Sequence, residues 1–531
     1  MTARTIRGSA GATAAAALIT GVAACSSPTG GTASAAPDSA VVAIANEPET
    51  LSPLLGYGKD GNSKIFDGLL AHDTDMKLKP ALALTLPEVS ADGLTYTYRL
   101  RQGVKFSDGQ PFGAKDVVFT YRTILHEKTN NASKSELDAI AGIEAQGDDA
   151  VVFRLKYPYA PFAERTVLPI APERIAGRQD VNSGDFAAKP VGTGPYVLTS
   201  WSKGEKLSFK ANPSYWGGEP AVKKFTMAVI KDDDVRATRL RSGELDGAIL
   251  PPNLAGAFKD DGARKTYTAK TFDYRNVTMP THNEVTGDVA VRRALDLAVD
   301  RGAMVDKLLE GAGKAAYGPV PTGSPWFTAG TERTYDLARA KKILDDAGWV
   351  PGDDGIRSKK GLRATFPLWH TSGDKIRQDH ALAFASDAKK AGIEVKIESG
   401  SWEVIEPRMK TDAVLAGGGS PADPDFDQYL TLTSSLAGDG FNNMAWYDNK
   451  TVDRALLDGR RSGDPAARKA AYDTVQRELV KNPGYVYLTH IDHLYVVNDK
   501  WDGPSTQVEP HDHGLGSGPW WNIETWKPKQ K

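Results

Sequence analysis

The chain has 531 residues, 65 Lys+Arg against 67 Asp+Glu, a formal net charge of −2 and one cysteine. The near-neutral balance argues against a nucleic-acid binder, which needs a basic face to neutralise phosphates. A single cysteine excludes an internal disulfide and a cysteine-based zinc site, so the fold rests on its core. Eleven Trp, 18 Tyr and 16 Phe supply ample area to bury. At about 150 residues per domain, the length corresponds to roughly three structural units.

The first feature along the chain is an export segment. Arg4 and Arg7 precede an apolar run at residues 14–19, and Val22-Ala23-Ala24-Cys25 follows. A basic start, a short apolar stretch and a small-residue cleavage site make a secretory signal. The run is too short for a transmembrane helix. Val22-Ala23-Ala24-Cys25 resembles a bacterial lipobox, which implies removal of residues 1–24 and lipidation of Cys25. Residues 25–39 read as a flexible tether, since 26–39 hold no large apolar side chain. The expected placement is extracytoplasmic, with the body held at the outer face of the cell membrane by its N-terminal lipid.

The body alternates strand-like runs with amphipathic helices, which predicts an α/β architecture. Residues 41–45 form a first strand, and 94–100 a β-branched and aromatic one entered through Asp92-Gly93. A helix follows over 114–125, then a strand over 151–155 after Gly147-Asp148-Asp149. Leu337, Ala340, Ile343, Leu344 and Ala347 share one helical stripe, closed by Gly348. A helix over 380–391 ends at Gly392, and 393–397 alternates like a strand. No repeat of 20–50 residues appears, which argues against a solenoid or propeller. Linkers near Tyr274-Arg275-Asn276 and Asn482-Pro483-Gly484 predict two crossings between two lobes, and hence a hinge.

Several runs carry a family resemblance. They include Asn46-Glu47-Pro48-Glu49-Thr50-Leu51-Ser52-Pro53, Phe66-Asp67-Gly68-Leu69-Leu70 and the long stretch from Asp92 to Phe112. Val191-Gly192-Thr193-Gly194-Pro195-Tyr196, Asn212-Pro213-Ser214-Tyr215-Trp216 and Ala422-Asp423-Pro424-Asp425 extend it across the body. The chain resembles the peptide/nickel class (family 5) of extracytoplasmic solute-binding proteins, the receptors of ABC importers. The resemblance implies a two-lobed, periplasmic-binding-protein-like fold of type II, hinged around a cleft. Lobe I would be residues 40–275, with an extra subdomain at about 62–185. Lobe II would be 276–485, with 486–531 returning to lobe I.

The same resemblance directs attention to particular side chains. Trp402 stands just after a lobe II strand, where relatives place a pocket aromatic. Tyr57 follows the Thr-Leu-Ser-Pro loop, and Trp446 sits in Met444-Ala445-Trp446-Tyr447. Tyr487 and His490 run along a segment that faces the cleft in relatives, and alternation puts Tyr485 and Tyr487 on one face. Peptide binders of the family anchor the ligand's amine with an Asp before the Asp-Pro motif. This chain has Gly418-Gly419-Ser420-Pro421 there. Either Asp423 or Asp425 shifts into that role, or the ligand has no free amine at that place.

Other motifs carry less. His511-Asp512-His513 and the pair His490/His493 have ligand-like spacings, but no cysteine or glutamate cluster supports a metal. Ser200-Trp201-Ser202-Lys203 lacks the companion motifs of penicillin-recognising enzymes, and neither glycine-rich run completes a nucleotide fingerprint. The expectation is therefore a non-enzymatic, monomeric receptor without cofactor or metal. It captures oligopeptides and delivers them to permease subunits served by a separate ATPase. A nickel chelate, an opine or a sugar is the alternative cargo, and peptide-signal sensing the alternative role. The cleft is expected to enclose about 300–1,000 Å³.

Overall fold

The computed structural model describes residues 38–131, 134–421, 423–511 and 516–529. Cys25 and most of the tether lie outside the described residues, as do Asp512 and His513. The body opens with strand β1 (Ser39–Ile44). A subdomain follows, with β2 (Glu88–Val89), β3 (Thr95–Arg99), helix α1 (Ala114–Leu125), β4 (Ile140–Gln146) and β5 (Ala150–Leu155). The chain then builds β6 (Tyr196–Ser202), β7 (Lys206–Ala211), β8 (Lys224–Val229), α2 (Asp233–Arg241), β9 (Gly247–Leu250) and β10 (Arg264–Ala269).

The second lobe begins at β11 (Tyr274–Thr278). It continues through α3 (Val289–Ala298), β12 (Gly313–Ala315), α4 (Leu337–Asp346), β13 (Thr365–Thr371), α5 (Lys375–Lys390), β14 (Glu394–Gly400) and β15 (Ala413–Gly418). Helices α6 (Asp425–Leu432), α7 (Lys450–Arg461) and α8 (Pro465–Lys481) precede β16 (Tyr485–Ile491). Strand β17 (His493–Asn498) then re-enters the first lobe.

Two mixed sheets organise the lobes. The first has the order β10-β17-β9-β1-β8-β7-β6 and the second β12-β16-β11-β15-β13-β14, while β2-β3-β5-β4 forms the subdomain sheet. Lobe I and its subdomain share one core, from Val42 and Phe225 to Tyr98, Phe153 and the C-terminal Trp520 and Trp526. Lobe II buries Leu368, Leu415, Val486 and Leu488 on one face of its sheet. Tyr274, Tyr485, Tyr487 and Tyr472 fill the other.

Local chemistry explains the helix ends. Asp374 caps α5 by accepting from the Arg377 amide at 2.9 Å, and Asp336 caps α4 in the same way. Gly348 and Gly392 follow the two helices with φ of +83° and +87°, the left-handed closure expected of them.

The return crossing differs from the sequence expectation. It falls at Asp492, not near 485, because β16 still pairs with β11 in the second sheet. The residues YVYLTHI are buried throughout, so no change of pattern marks the crossing. The two crossings touch. The Lys270 ammonium meets Asp492 at 2.6 Å, and the Thr271 hydroxyl donates to the Ile491 carbonyl at 2.5 Å.

Candidate functional site

Strands β13, β14, β15 and β16 all run antiparallel to β11, directly or through a neighbour, so their carboxyl ends share one edge. In α/β sheets that edge is where ligands bind. Here it faces the first lobe. Tyr159 of the subdomain donates to Asp425 at 2.7 Å, and Arg460 on α7 reaches both Asp425 (2.6 Å) and the subdomain's Asp138 (2.8 Å). The Arg165 guanidinium lies 3.5 Å from the centre of the Phe426 ring.

The loop between β15 and α6 sets the site. Gly418 and Gly419 are required by crowding. A Cβ at 418 would stand 2.4 Å from the Tyr274 hydroxyl oxygen, and one at 419 would stand 1.9 Å from the Phe272 carbonyl. Gly419 also has φ of +121°. This close approach brings Tyr274 and the Gly419 amide onto Asp427 Oδ1, at 2.9 and 3.0 Å.

Asp423, Asp425 and Asp427 have different fates. Asp423 takes both guanidinium nitrogens of Arg468, at 2.9 and 2.7 Å. It is therefore engaged structurally, not open to a ligand amine. Asp425 is held by Arg460 and Tyr159. Asp427 has no arginine. Burial raises its carboxyl to about 7 against the opposing bonds from Tyr274 and Gly419. Its Oδ2 has no hydrogen-bond partner, and neither polar atom of the fully buried Gln428 has one.

Asp427 and Gln428 line a small pocket of about 10 Å³ together with Phe272, Trp326, Ser420 and Pro424, far below the expected range. None of these residues comes from the subdomain or from the sheet of the first lobe. Ser420, which stands in the run that replaces the family's amine-anchoring Asp, lines this pocket. A larger groove between α1 and β4 has satisfied polar groups, Arg122 donating to the Ile143 carbonyl and Arg154 to Glu144.

Tyr487 and His490 share a face through a β-bulge. The register against β11 shifts so that Leu488 has no partner, and both Leu488 and Thr489 turn to the opposite face. The Tyr274 ring then packs edge-on against Tyr487 (5.0 Å) and His490 (6.0 Å). Burial lowers His490 to about 4, so its imidazole is neutral at physiological pH.

The remaining expected residues lie apart. Trp402 follows β14 on the same edge, two strands from β15, and stacks edge-on with Phe441 at 5.1 Å. Tyr57 is buried in lobe I against Phe66. Trp446 packs on His282 and beneath Lys410, which follow β11 and precede β15, so it sits at the opposite edge of the sheet. Sequence reasoning missed Tyr274, Phe272, Trp326, Asp427 and Gln428. No sequence signal separates Asp427 from Asp423 and Asp425, because the arginines that pair with those two arrive from distant helices.

His493 and His511 both contact Asp273 at the hinge, at 3.0 and 2.6 Å. Among the described residues no cluster could hold a metal, and no helix is long and apolar enough to cross a membrane.

This geometry is that of a two-lobed binding protein. The family model of bacterial extracellular solute-binding proteins, family 5 Middle, matches residues 77–441. The chain belongs to that family, the binding components of ABC importers. Protein XP55 of Streptomyces lividans is 65% identical over 503 residues, spanning 94% of this chain and 92% of that protein. NikZ from Campylobacter jejuni, solved in complex with Ni(L-His), is similar at 29% identity with a TM-score of 0.86, covering 93% of this chain and 99% of that one. AppA from Bacillus subtilis, solved with a nonapeptide, shows 26% identity and a TM-score of 0.82, over 93% and 99% of the two chains.

Proposed function

We propose that this protein is the oligopeptide receptor of an ABC importer, passing its ligand to separate permease subunits and doing no covalent chemistry. The observation that carries the reading is the meeting of the two lobes over the carboxyl edge of the second sheet. Only a closed form touches a solute from both sides, so the solute selects that form. Ser420, Tyr487 and His490 are the proposed ligand contacts from the second lobe, with Trp402 at the rim and Tyr57 supporting the first lobe. Asp423 and Trp446 serve the scaffold in this reading.

A nickel chelate is the second reading, favoured by the likeness to NikZ and by the neutral imidazole of His490. Thermal unfolding in the presence of mixed peptides of two to nine residues, and separately of nickel–histidine, distinguishes the two. A ligand at 100 times its Kd adds about 2.7 kcal/mol to the folded state. Peptides are expected to raise the melting temperature; stabilisation by the nickel complex alone would overturn the peptide assignment.

We further propose that the receptor is monomeric and held at the outer face of the cell membrane through lipid on Cys25. The lipobox-like Val22-Ala23-Ala24-Cys25 supports this. Cys25→Ser is expected to move the protein from the detergent phase to the aqueous phase on Triton X-114 partition, whereas an unchanged distribution would remove the anchor.

A further inference from the structure

We infer that the outer edge of β4 in the subdomain docks an extended acidic segment of a partner protein, which pairs with it as a further strand. The site lies outside the cleft and does not depend on which solute the cleft holds. A groove of about 480 Å³ runs along this edge, lined by Arg122, Leu125 and His126 of α1, Ile140 and Glu144 of β4, and Arg154 of β5. Among the described residues β4 pairs with β5 alone, so its other side carries no strand. Such an edge is a template for strand addition, with main-chain bonds giving affinity and side-chain contacts giving selectivity.

The ladder fixes which backbone groups that edge presents. The Leu155 amide donates to the Leu94 carbonyl, while the Lys156 amide donates to that of Ala139, both at 2.8 Å. Alternate residues of β5 therefore turn toward β4, where they meet Gly142, Glu144 and Gln146. Ile143 and Ala145 point their amides and carbonyls the other way. The Ile143 carbonyl accepts from Arg122 at 2.8 Å, which puts it on the groove side. Gly142 stands opposite Arg154, and a Cβ there would meet nothing within 4 Å, so the edge is uncrowded at this point. Charge selects the occupant. Two arginines and a histidine flank the groove against one carboxylate, Glu144, whose pair with Arg154 is at least half exposed on both sides and holds little. Side chains of an added strand alternate between faces, so two consecutive acids fall on the faces of Arg122 and of Arg154. A carboxylate that takes the Arg122 guanidinium releases the Ile143 carbonyl to accept an amide of the incoming strand. A neutral strand offers nothing in exchange for Arg122, and the edge stays closed to it.

The probe is a labelled ten-residue peptide of threonine and valine with two adjacent central glutamates, acetylated and amidated so that its ends carry no charge. Fluorescence anisotropy on the full soluble body reads its affinity, with and without excess unlabelled tripeptides, and hydrogen exchange reads where it sits. The glutamate peptide is expected to bind, to protect the Ile143 and Ala145 amides and to ignore the tripeptides, whereas its lysine counterpart does not bind. Arg122→Gln keeps a donor for the Ile143 carbonyl but removes the charge, and is expected to weaken binding about tenfold. Ala145→Pro removes one outward amide at an edge position, where proline is tolerated, and is expected to abolish binding with the unfolding midpoint near the wild type. Equal binding of the two peptides, binding of neither, or indifference to both substitutions overturns the docking edge. Displacement by tripeptides puts the probe in the cleft, which overturns the edge and leaves the receptor reading intact.

Discussion

Arg460→Ala is expected to cost the folded protein about 3–5 kcal/mol, the range for removing one partner of a buried ion pair. The Arg460 side chain is 3% exposed and Asp425 is fully buried. With Arg460 gone, Asp425 keeps the Tyr159 hydroxyl and the field of the nearby Arg165, and its charge loses the direct partner that burial demands. The damage crosses the cleft, because Arg460 also holds Asp138 and meets Tyr157 in the subdomain. A lower unfolding midpoint should therefore accompany a larger radius of gyration by small-angle scattering. Adding Asp425→Asn removes the stranded charge and is expected to restore much of the midpoint without restoring compactness. An Arg460→Ala protein as stable and as compact as the wild type would show that the lobes do not depend on this pair.

The second large effect is a pH dependence centred on the hinge. Burial alone would lower the pKa of His493, but hydrogen bonds to Asp273 and Glu509 outweigh it and raise the value to about 9. The folded value exceeds the unfolded one near 6.5, so the contribution is complete below pH 6.5 and lost as pH rises through 9. A shift of this size corresponds to about 3 kcal/mol. Asp273 behaves oppositely: despite burial, Arg275 and His511 hold it well below the usual carboxylate range. Its contribution is present above about pH 4 and lost as the pH falls further. Urea midpoints of the wild type and His493→Gln, measured at pH 6, 7.5 and 9.5, isolate the histidine. The difference between them should be greatest at pH 6 and shrink toward 9.5. A difference independent of pH would mean that His493 is neutral in the folded state.

Much of the fold was legible because its elements carry local signals. The 114–125 helix, the Gly348 and Gly392 closures and the 150–155 strand each combine a periodic face with turn chemistry. The site was less legible. Ser420, Tyr487 and His490 follow from the family resemblance, but Tyr487 and His490 are three residues apart and share a face only through the unpaired Leu488. Asp423 and Asp427 look alike in sequence, and what separates them is Arg468, which arrives from a helix 45 residues away. Trp446 was a weaker candidate than Trp402, and sequence does not say which edge of a sheet a loop occupies. The true edge is fixed by the antiparallel pairing of β11 with β15.

The unpaired residue in β16 has a consequence for how this surface can change. Side chains alternate along a regular strand, and the extra residue is what lets Leu488 and Thr489 face the same layer. Deleting Leu488 would leave Thr489 opposite Arg275 and His490 opposite Tyr274, so the ladder would close with His490 still beside the Tyr274 ring. What the deletion takes away is one side chain from the apolar layer and the local bend that a bulge imposes. The extra residue thus sets the curvature of the cleft floor, and a variant without it should change the shape of that floor while keeping the same side chains on it.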